Sequence, residues 1–296
     1  MLKADLHMHS KYSLDGEHEV DHIMDTCKKS GLDTISITDH NLVKAIPDAL
    51  KYGLQYDIHV IPGIEVDCQY KGIDLHVLGY NIDFRNIAFA KLEQSIFSMV
   101  MDQFPQMVEN LSKVGIEVDA DEVLSLAGNN LPSGELIAEV LLTRDRYLHN
   151  RKLDPYRKGG CRSDMPYINF YHDYFAQGKP AYVPINFMDF DEAIALITEN
   201  GGIPVVAHPG LNLKRKEEIV EELLDHGAAG LEAFNNYHTE DQIRYFAVTV
   251  SGRKMLMTCG SDFHGKTKPL IKPGMYKTIK EYEGYVEESV DRLRST

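Results

Sequence analysis

The sequence predicts an α/β protein built as a (βα) barrel, and two patterns in the 296-residue chain support this prediction. Short runs of β-branched residues alternate with amphipathic segments through about the first 80 residues, and the alternation returns after about residue 182. Strands that alternate with helices pair in parallel through right-handed crossovers. About seven such units are present, which is typical of a barrel.

The first elements follow from local patterns. Residues 2–8 are predicted as a strand, and the apolar spacing of Val20, Ile23, Met24 and Cys27 predicts a helix over 18–30 that ends at Gly31. The next predicted elements, in order, are a strand at 34–38, a helix at 42–53, a strand at 59–64, and a hairpin or two adjacent strands at 66–70 and 73–79.

The second half of the predicted barrel begins near residue 182. The same criteria predict helices at 189–200, 215–227, 239–251 and 281–294, and strands at 203–207, 230–234 and 255–259. We therefore assign residues 1–82 and 183–296 to one barrel domain.

Residues 83–182 interrupt the strand pattern and are predicted to form a helical insertion domain, with helices at 86–113, 119–127 and 133–149. Between Arg144 and Arg162 the insertion carries seven Lys or Arg against two Asp, a net charge of +5 in an acidic protein. Two interpretations stay open: a solvated surface, or a lid that contacts an anionic substrate.

Composition excludes several classes of protein. The net charge of −14 argues against a general surface for duplex nucleic acid, although bound divalent ions would still attract an anionic substrate. No apolar run approaches the roughly 20 residues that a membrane helix needs. The four cysteines form no C-x-x-C pair, and a strand begins by Asp5, so we expect reduced thiols, no signal peptide and a cytoplasmic location.

Nine side chains of metal-ligand type occur in short signatures. The signatures are D-L-H-M-H at 5–9, S-L-D-G at 13–16, T-D-H at 38–40, G-I-E at 63–65, D-L-H at 74–76, A-H-P at 207–209 and S-D-F-H at 261–264. The candidate ligands in them are His7, His9, Asp15, His40, Glu65, His76, His208, Asp262 and His264. Imidazole and carboxylate suit zinc, manganese and iron. Because one ion needs fewer ligands, the sequence predicts a multinuclear site, and such sites usually hydrolyse phosphate or acyl bonds.

The positions of these residues strengthen the prediction. Most of them stand at the ends of predicted strands, where a parallel α/β barrel has its active site. An H-x-H on a strand, as at His7 and His9, places both imidazoles on one side. Asp39 is expected to orient a neighbouring histidine or its loop rather than to bind metal.

These motifs, in this order, resemble the polymerase and histidinol phosphatase (PHP) superfamily of metal-dependent phosphoesterases. The resemblance covers about residues 1–82 and 182–270, and the insertion looks like that of stand-alone members, which include nucleotide 3′,5′-bisphosphate phosphatases and short-RNA 5′ exonucleases. It implies a distorted seven-stranded barrel that holds two or three ions, commonly manganese, iron or zinc.

The resemblance also implies a distribution of ligands. The first ion would be held by His7, His9, Glu65 and Asp262; the second by Glu65, His76 and His208, with Glu65 bridging; and the third by Asp15, His40 and His264. This is a trinuclear arrangement.

Substrate contacts are less clearly marked. Relatives that act on nucleotide bisphosphates often carry an Arg-Pro-His-like segment where this chain has Leu131-Pro132-Ser133. His238 is a candidate donor to the phosphate or the leaving group, and Asp262 a candidate proton acceptor. The remaining candidate substrate contacts are Ser133, Arg162, Lys214 and Arg215.

The predicted function is hydrolysis of a small phosphate ester by a metal-bridged hydroxide, on a nucleotide, a 3′,5′-bisphosphate or a short RNA. Three alternatives stay open: a cyclic phosphodiesterase or histidinol-phosphate phosphatase with the same ions, an amidohydrolase-like enzyme that cuts C–N bonds, and a non-catalytic PHP module. No lysine at a strand end suits a carbamylated metal bridge, which argues against the amidohydrolase.

Overall fold

A closed barrel of short strands forms the centre of the molecule. The computed structural model describes residues 2–296. In chain order its strands are β1 (Ala4–Asp5), β2 (Thr34–Ile35), β3 (His59–Val60), β4 (Gly63–Tyr70), β5 (Ile73–Tyr80), β6 (Met188–Asp189), β7 (Ile203–Val206), β8 (Gly230–Phe234) and β9 (Leu256–Cys259). They form a sheet β1-β2-β3 and a sheet β6-β4-β5-β7-β8-β9.

The two sheets join at both sides. On one side, backbone hydrogen bonds from Leu6 N–H to the Cys259 carbonyl (3.0 Å) and from Asp262 N–H to the His7 carbonyl (2.8 Å) connect β1 to β9. On the other side, an isolated parallel bridge links His40 to Glu65. Because only residues 61 and 62 separate β3 from β4, we count these two as one strand of the barrel. The barrel then has the predicted seven strands, and β6 lies outside it.

One strand of the barrel, β5, is antiparallel to its neighbours. The predicted hairpin is present: β4 and β5 pair antiparallel and are joined by Lys71 and Gly72, whose φ angles are 50° and 75°. Positive φ at both central residues is the geometry of a type I′ hairpin turn. Strand β5 therefore lies antiparallel to both β4 and β7, whereas the strands that alternate with helices pair in parallel.

The helices lie close to their predicted positions. They are α1 (Val20–Lys29), α2 (Ile46–Tyr56), α3 (Ile87–Lys113), α4 (Ala120–Ala127), α5 (Gly134–Thr143), α6 (Pro166–Tyr174), α7 (Phe190–Glu199), α8 (Pro209–Asn212), α9 (Ile219–Asp225), α10 (Glu240–Gly252) and α11 (Glu283–Arg294). Helix α9 begins four residues later than predicted, because Lys214 and Arg215 adopt φ angles of 42° and 77°. Such angles do not belong to a right-handed helix.

Helices α3 to α6 lie in the stretch that interrupts the strands. Their facing side chains, which include Phe104, Leu111, Leu141 and Phe170, form a hydrophobic cluster separate from the barrel core. The first half of α3 packs instead against the barrel, with Phe89 and its neighbours in the main core. Helix α3 thus ties the insertion to the barrel. None of the helices in residues 2–296 is long and apolar enough to span a membrane.

Candidate metal centre

The nine predicted ligand side chains meet at one end of the barrel. His7, His9, His40, His208, Asp262 and His264 follow the strands β1, β2, β7 and β9, while Glu65 and His76 lie within β4 and β5, and Asp15 lies in the loop after β1. His76 reaches the group from the middle of a strand, because the antiparallel hairpin places it beside β4.

Glu65 lies at the centre of this group and is completely buried. Its Oε1 atom lies 2.9 Å from Nδ1 of His76 and 3.1 Å from Nε2 of His208. Its Oε2 atom faces three more imidazole Nε2 atoms, at 3.1 Å from His7, 3.2 Å from His9 and 3.4 Å from His40. One carboxylate therefore separates two sets of imidazoles, one beside each oxygen.

Four groups of ligand atoms converge closely enough to share an ion. In each group the atoms lie within 4.8 Å of one another; the groups are His9, Asp15, His40 and His264; His7, His9 and Asp262; His7, Glu65 and His208; and His40, Asp67 and His76. Metal–ligand bonds of about 2.0–2.2 Å place neighbouring ligand atoms about 3–3.5 Å apart. The 3.3 Å from His9 Nε2 to Asp262 Oδ1 and the 3.5 Å from His7 Nε2 to the same oxygen agree with this spacing.

Two imidazole nitrogens show that these side chains suit a metal. Nε2 of His9 and Nε2 of His264 are buried and have no hydrogen-bond partner. Buried polar atoms nearly always have a partner, because an unmet one costs about 1–3 kcal/mol. Nε2 of His264 lies 2.9 Å from Asp15 Oδ2 without forming a hydrogen bond, so both nitrogens would suit coordination of a metal ion. The donor set of imidazoles and carboxylates fits a transition metal.

Asp67 belongs to this centre although sequence reasoning did not select it. Its Oδ1 atom lies 2.9 Å from Nδ1 of His40 and 3.5 Å from Nε2 of His76. The signal was available in the sequence: Glu65 and Asp67 are two residues apart on one strand, so their side chains point to the same face.

Glu232 is a second buried carboxylate that sequence reasoning missed. Its Oε1 atom lies 3.1 Å from Nδ1 of His7, and its Oε2 atom accepts a hydrogen bond of 2.8 Å from His208 N–H. A carboxylate at Nδ1 sets the tautomer of His7 and directs Nε2 to the centre. An acidic residue inside the apolar strand β8 is the pattern that marks it.

Asp39 holds the loop, as predicted. Its two oxygens accept hydrogen bonds from the backbone N–H of Ser10 (2.6 Å) and from the Ser10 hydroxyl (2.7 Å). These bonds fix the chain directly after His9, which is an orienting role rather than a ligand position.

Asp262 presents different partners at its two oxygens. Oδ1 faces the histidines, while Oδ2 accepts hydrogen bonds from Lys268 Nζ (2.5 Å) and from the Tyr237 hydroxyl (2.8 Å). Lys268 is buried, and sequence reasoning did not select it. Its position six residues after Asp262, past the strand end, gave no recognisable spacing.

The carboxylates of the centre stay ionised. Burial by itself would raise the pKa of Glu65, but the imidazoles of His7, His40 and His76 outweigh burial and hold that pKa well below its usual range. Burial likewise opposes ionisation of Asp262, and Lys268 foremost holds the pKa of Asp262 well below its usual range. Ionised carboxylates are the form that binds metal.

A cavity of about 210 Å³ opens above this centre. Asp15, His40, Asp67, His76 and His208 form its floor, and side chains from α3, α5 and α6 form its walls. The cavity therefore lies between the barrel and the helical insertion, where a substrate would contact both.

Glu135 and His172 face the cavity from the insertion, and both have shifted pKa values. Burial, together with the nearby charge of Asp15, raises the pKa of Glu135 to about 7. Burial and the positive charge of Lys268 lower the pKa of His172 to about 4, so its imidazole is neutral at pH 7.

Among the predicted substrate contacts, Ser133 lines this cavity. Its hydroxyl also accepts a hydrogen bond of 3.2 Å from Leu136 N–H and so caps helix α5. Lys214 and Arg215 are exposed and do not line the cavity, so their contact with substrate stays a prediction that this arrangement does not support. Their left-handed backbone turns the chain away before α9 begins.

Arg162 is also placed differently from its predicted role. Its guanidinium donates to both oxygens of Asp173 at 3.0 Å, and it does not line the cavity. Three other basic residues of the segment are also ion-paired: Arg144 and Arg146 with Glu122 of helix α4, and Arg157 with Asp154. These contacts favour the interpretation of this segment as a solvated surface, and the lid that contacts substrate stays a prediction without support from this arrangement.

His238 does not reach the cavity either. Its Nδ1 lies 2.9 Å from the Ala233 carbonyl, and its Nε2 accepts a hydrogen bond of 3.1 Å from Gly210 N–H. A Cβ atom at position 210 would lie 2.6 Å from the ring, so the glycine permits this contact. With both nitrogens bonded to backbone, His238 supports the turn after His208, and its role as a donor to the phosphate or the leaving group stays a prediction without support from these contacts.

The chain is similar to proteins that act on phosphate esters. It is 26% identical over 265 residues to phosphoribosyl 1,2-cyclic phosphate 1,2-diphosphodiesterase of Eggerthella lenta. This alignment covers 88% of this chain and 94% of the relative. It is 26% identical over 267 residues to 3′,5′-nucleoside bisphosphate phosphatase of Chromobacterium violaceum, covering 89% and 88%.

A solved structure has the same fold. An amidohydrolase from Chromobacterium violaceum with bound sulfate superposes with a TM-score of 0.79 at 22% identity, over 98% of this chain and 96% of that chain. The family model described as PHP domain matches residues 5–226. That range includes seven of the nine predicted ligands and the whole insertion.

Proposed function

Since the chain belongs to the PHP domain family, we propose that it hydrolyses a small phosphate ester at the centre around Glu65, with bound metal ions. The observation that carries this proposal is the arrangement of five imidazole groups around the two oxygens of one buried carboxylate. This arrangement lies directly beneath a cavity, so a bound substrate would meet the ions.

Two or three divalent transition-metal ions are proposed, of manganese, iron or zinc. His7, His9 and Asp262 would hold one ion, and His208 would hold a second, with Glu65 shared between them. Asp15, His40 and His264 would hold a third, and the position of Asp67 adds it to the ligands near His40 and His76. When bound, such ions lower the pKa of water and neutralise phosphoryl oxygens.

The proposed reaction is a hydrolysis. An oxygen of water forms a bond to phosphorus, the ester P–O bond breaks, and its electron pair leaves with the alcohol oxygen. The alcohol takes one proton of the water, and inorganic phosphate keeps the other according to its own pKa. No oxidant or other co-reactant is needed.

Lys268 is proposed to bind the phosphoryl group. Burial opposes its charge, but Asp262 foremost raises the pKa of Lys268 above its usual range, so it remains a cation. It therefore supplies charge and a hydrogen bond rather than a proton. Charge-assisted hydrogen bonds of this kind are among the strong ones in proteins.

Asp262 is proposed to act as a ligand with a fixed orientation. Lys268 and Tyr237 hold its Oδ2 atom, which leaves Oδ1 towards the histidines. Its low pKa makes it a weak proton acceptor, so its earlier assignment as the base that deprotonates water receives no support from its surroundings.

The relatives support phosphate esters as the substrate class. Their names specify a cyclic phosphodiester and a nucleoside bisphosphate, which differ in the alcohol but share the bond that is cut. The similarity to the amidohydrolase concerns the fold, since the identity is 22%.

A phosphate-release assay tests the proposal. Protein reconstituted with manganese would be incubated with nucleoside monophosphates, a 3′,5′-bisphosphate, a cyclic phosphate, a short RNA, histidinol phosphate and an amide substrate. We expect metal-dependent hydrolysis of at least one phosphate ester, measured as inorganic phosphate from a monoester, as a monoester from the cyclic phosphate or as nucleotides from the RNA. Metal analysis should find two to three equivalents per chain. Hydrolysis of the amide alone, or one metal equivalent or fewer after reconstitution, would contradict the proposal.

A further inference from the structure

We propose that the substrate carries a single phosphate on an organic group that is largely apolar but bears a hydroxyl or amino group. This inference rests on the proposed function and adds the chemical class of the leaving group. The residues that line the cavity beyond the metal centre carry the inference.

Most of the cavity wall is apolar. The side chains that face it away from the floor include Leu14, Ile96, Val100, Leu131, Ile168 and Phe187. Apolar walls favour a ligand that buries apolar surface, since removal of that surface from water is favourable. A charged group placed against them would lose its hydration without a partner.

The cavity offers little positive charge beyond the ions. Among the cavity-lining residues of the described chain, Lys268 is the one lysine or arginine, and its Nζ atom is already paired with Asp262. No lysine or arginine of the described insertion lines the cavity, and Arg162 and Arg146 are bound elsewhere, to Asp173 and to Glu122 and Asp119. One phosphoryl group at the centre can use Lys268, and a second phosphate would find no cation.

Glu135 makes a second phosphate still less favourable. Its side chain faces the cavity from the first turn of α5, and the residue is 6% exposed. In residues 2–296, no Lys, Arg or His nitrogen lies within 4.0 Å of its carboxyl oxygens. Above its pKa of about 7 the side chain is a carboxylate, and like charges at short distance in a buried site repel strongly, so the substrates and variants are compared at pH 8.

The Glu135 carboxyl group is also the reason for proposing a hydroxyl or amino group on the substrate. A buried carboxyl without a cation gains from a ligand that donates a hydrogen bond to it. His172 faces the cavity as well and is half-buried, so its neutral imidazole offers a second uncharged polar contact. Both side chains belong to the insertion, which would therefore select the alcohol part of the ester.

A matched pair of substrates tests the inference. Phosphate release would be measured for adenosine 5′-monophosphate and adenosine 3′,5′-bisphosphate, which differ by one phosphate, with manganese-loaded full-length protein. We expect kcat/KM to be about tenfold or more higher for the monophosphate, because the bisphosphate must place charge beside Glu135. Equal or higher kcat/KM for the bisphosphate would overturn the inference while leaving the proposed function intact; no release from any phosphate ester would overturn both.

Two substitutions test the assigned residues. Glu135→Gln should lower the preference for the monophosphate by about threefold or more, since it removes the repelling charge. Leu131→Arg should raise kcat/KM for the bisphosphate by about tenfold, because it adds a cation to the wall. Glu139→Gln, one turn along α5 and paired with Lys266, is the matched control and should leave the ratio unchanged.

Metal content is measured for each variant as a check on folding. If Glu135→Gln keeps its metal and the wild-type ratio, the assignment of Glu135 is wrong. The ratio for the wild-type protein decides the substrate class even where a variant fails to fold.

Discussion

Asp67 and His76 lie directly opposite each other in the antiparallel ladder of β4 and β5, and His76 Nε2 is 3.5 Å from Asp67 Oδ1. The pair faces into the barrel beside His40, whose Nδ1 is 2.9 Å from the same oxygen. Directly opposed residues of a hairpin have side chains on one face. The hairpin thus adds a carboxylate to a centre whose other ligands come mainly from strand ends.

If Asp67 is a ligand or orients ligands, Asp67→Asn should weaken the binding of one ion by about tenfold to a hundredfold. The amide keeps the shape but loses the charge. Metal titration after chelation would measure the change, and Asp102→Asn on the exposed face of α3 is the control. Unchanged affinity and full stoichiometry would remove Asp67 from the centre.

Glu65→Gln should be among the most damaging substitutions, because one carboxylate faces both sets of imidazoles. We expect turnover to fall about a hundredfold or more and the metal content to drop, since a neutral amide does not replace a bridging carboxylate. Steady-state kinetics and elemental analysis check this. Glu199→Gln at the end of α7 is the control, and near-wild-type turnover of Glu65→Gln would show that the bridging assignment is wrong.

Lys268→Met should lower kcat/KM for the true substrate by about tenfold or more. A charge-assisted hydrogen bond to phosphate contributes about 1.5–3 kcal/mol, and each 1.36 kcal/mol corresponds to about a factor of ten in rate. The substitution also leaves Asp262 without its cation, so metal content is measured in parallel. Lys268→Arg should recover part of the loss, and Lys266→Met is the exposed control. A fall in activity explained wholly by lost metal would argue against contact with phosphate.

Arg162→Ala should leave kcat/KM within about twofold of wild type. The guanidinium is bound to Asp173 and is half-exposed, so its loss should cost about 1 kcal/mol or less in the free energy of unfolding. Urea unfolding and kinetics, performed on the same preparation, separate the two effects. A tenfold rise in KM with unchanged stability would return this residue to the substrate site.

The stability of the protein should fall in acid partly through His238. Burial lowers the pKa of His238 from 6.5 to about 4 in the folded protein. Below pH 6.5 the unfolded chain therefore takes up a proton that the folded protein does not, and the contribution of His238 to stability is lost as the pH falls towards 4.

His238→Gln isolates that contribution. The glutamine amide can still accept from Gly210 and donate to the Ala233 carbonyl but does not titrate. Between pH 7 and pH 5 the wild-type protein should lose about 2 kcal/mol more unfolding free energy than the variant. Chemical unfolding at the two pH values measures the difference, and equal losses would contradict the assigned neutral state of the imidazole.

The candidate metal ligands could be selected from the sequence because their chemistry is local. Histidines in H-x-H and D-x-H patterns at strand ends are rare by chance, and the barrel topology brings strand ends together. The PHP family and the barrel fold follow from the same motifs, and both predictions are confirmed. Three helices of the insertion, α3 to α5, were predictable from apolar spacing, with errors at their ends, whereas α6 was not predicted. The division into barrel and insertion domains stays a prediction.

The sequence by itself therefore determined the chemistry of the candidate metal ligands, the number of barrel strands and the family. Only the tertiary structure decided which charges face the substrate. Arg162 and His238 have suitable chemistry, but their partners, Asp173 and the backbone of the turn after His208, occupy their polar atoms. Lys268 and Glu135 gave no local signal and became functional candidates through burial beside the cavity. The physical reason is that a side chain's role depends on which groups approach it from distant parts of the chain, and periodicity in sequence carries no information about those contacts.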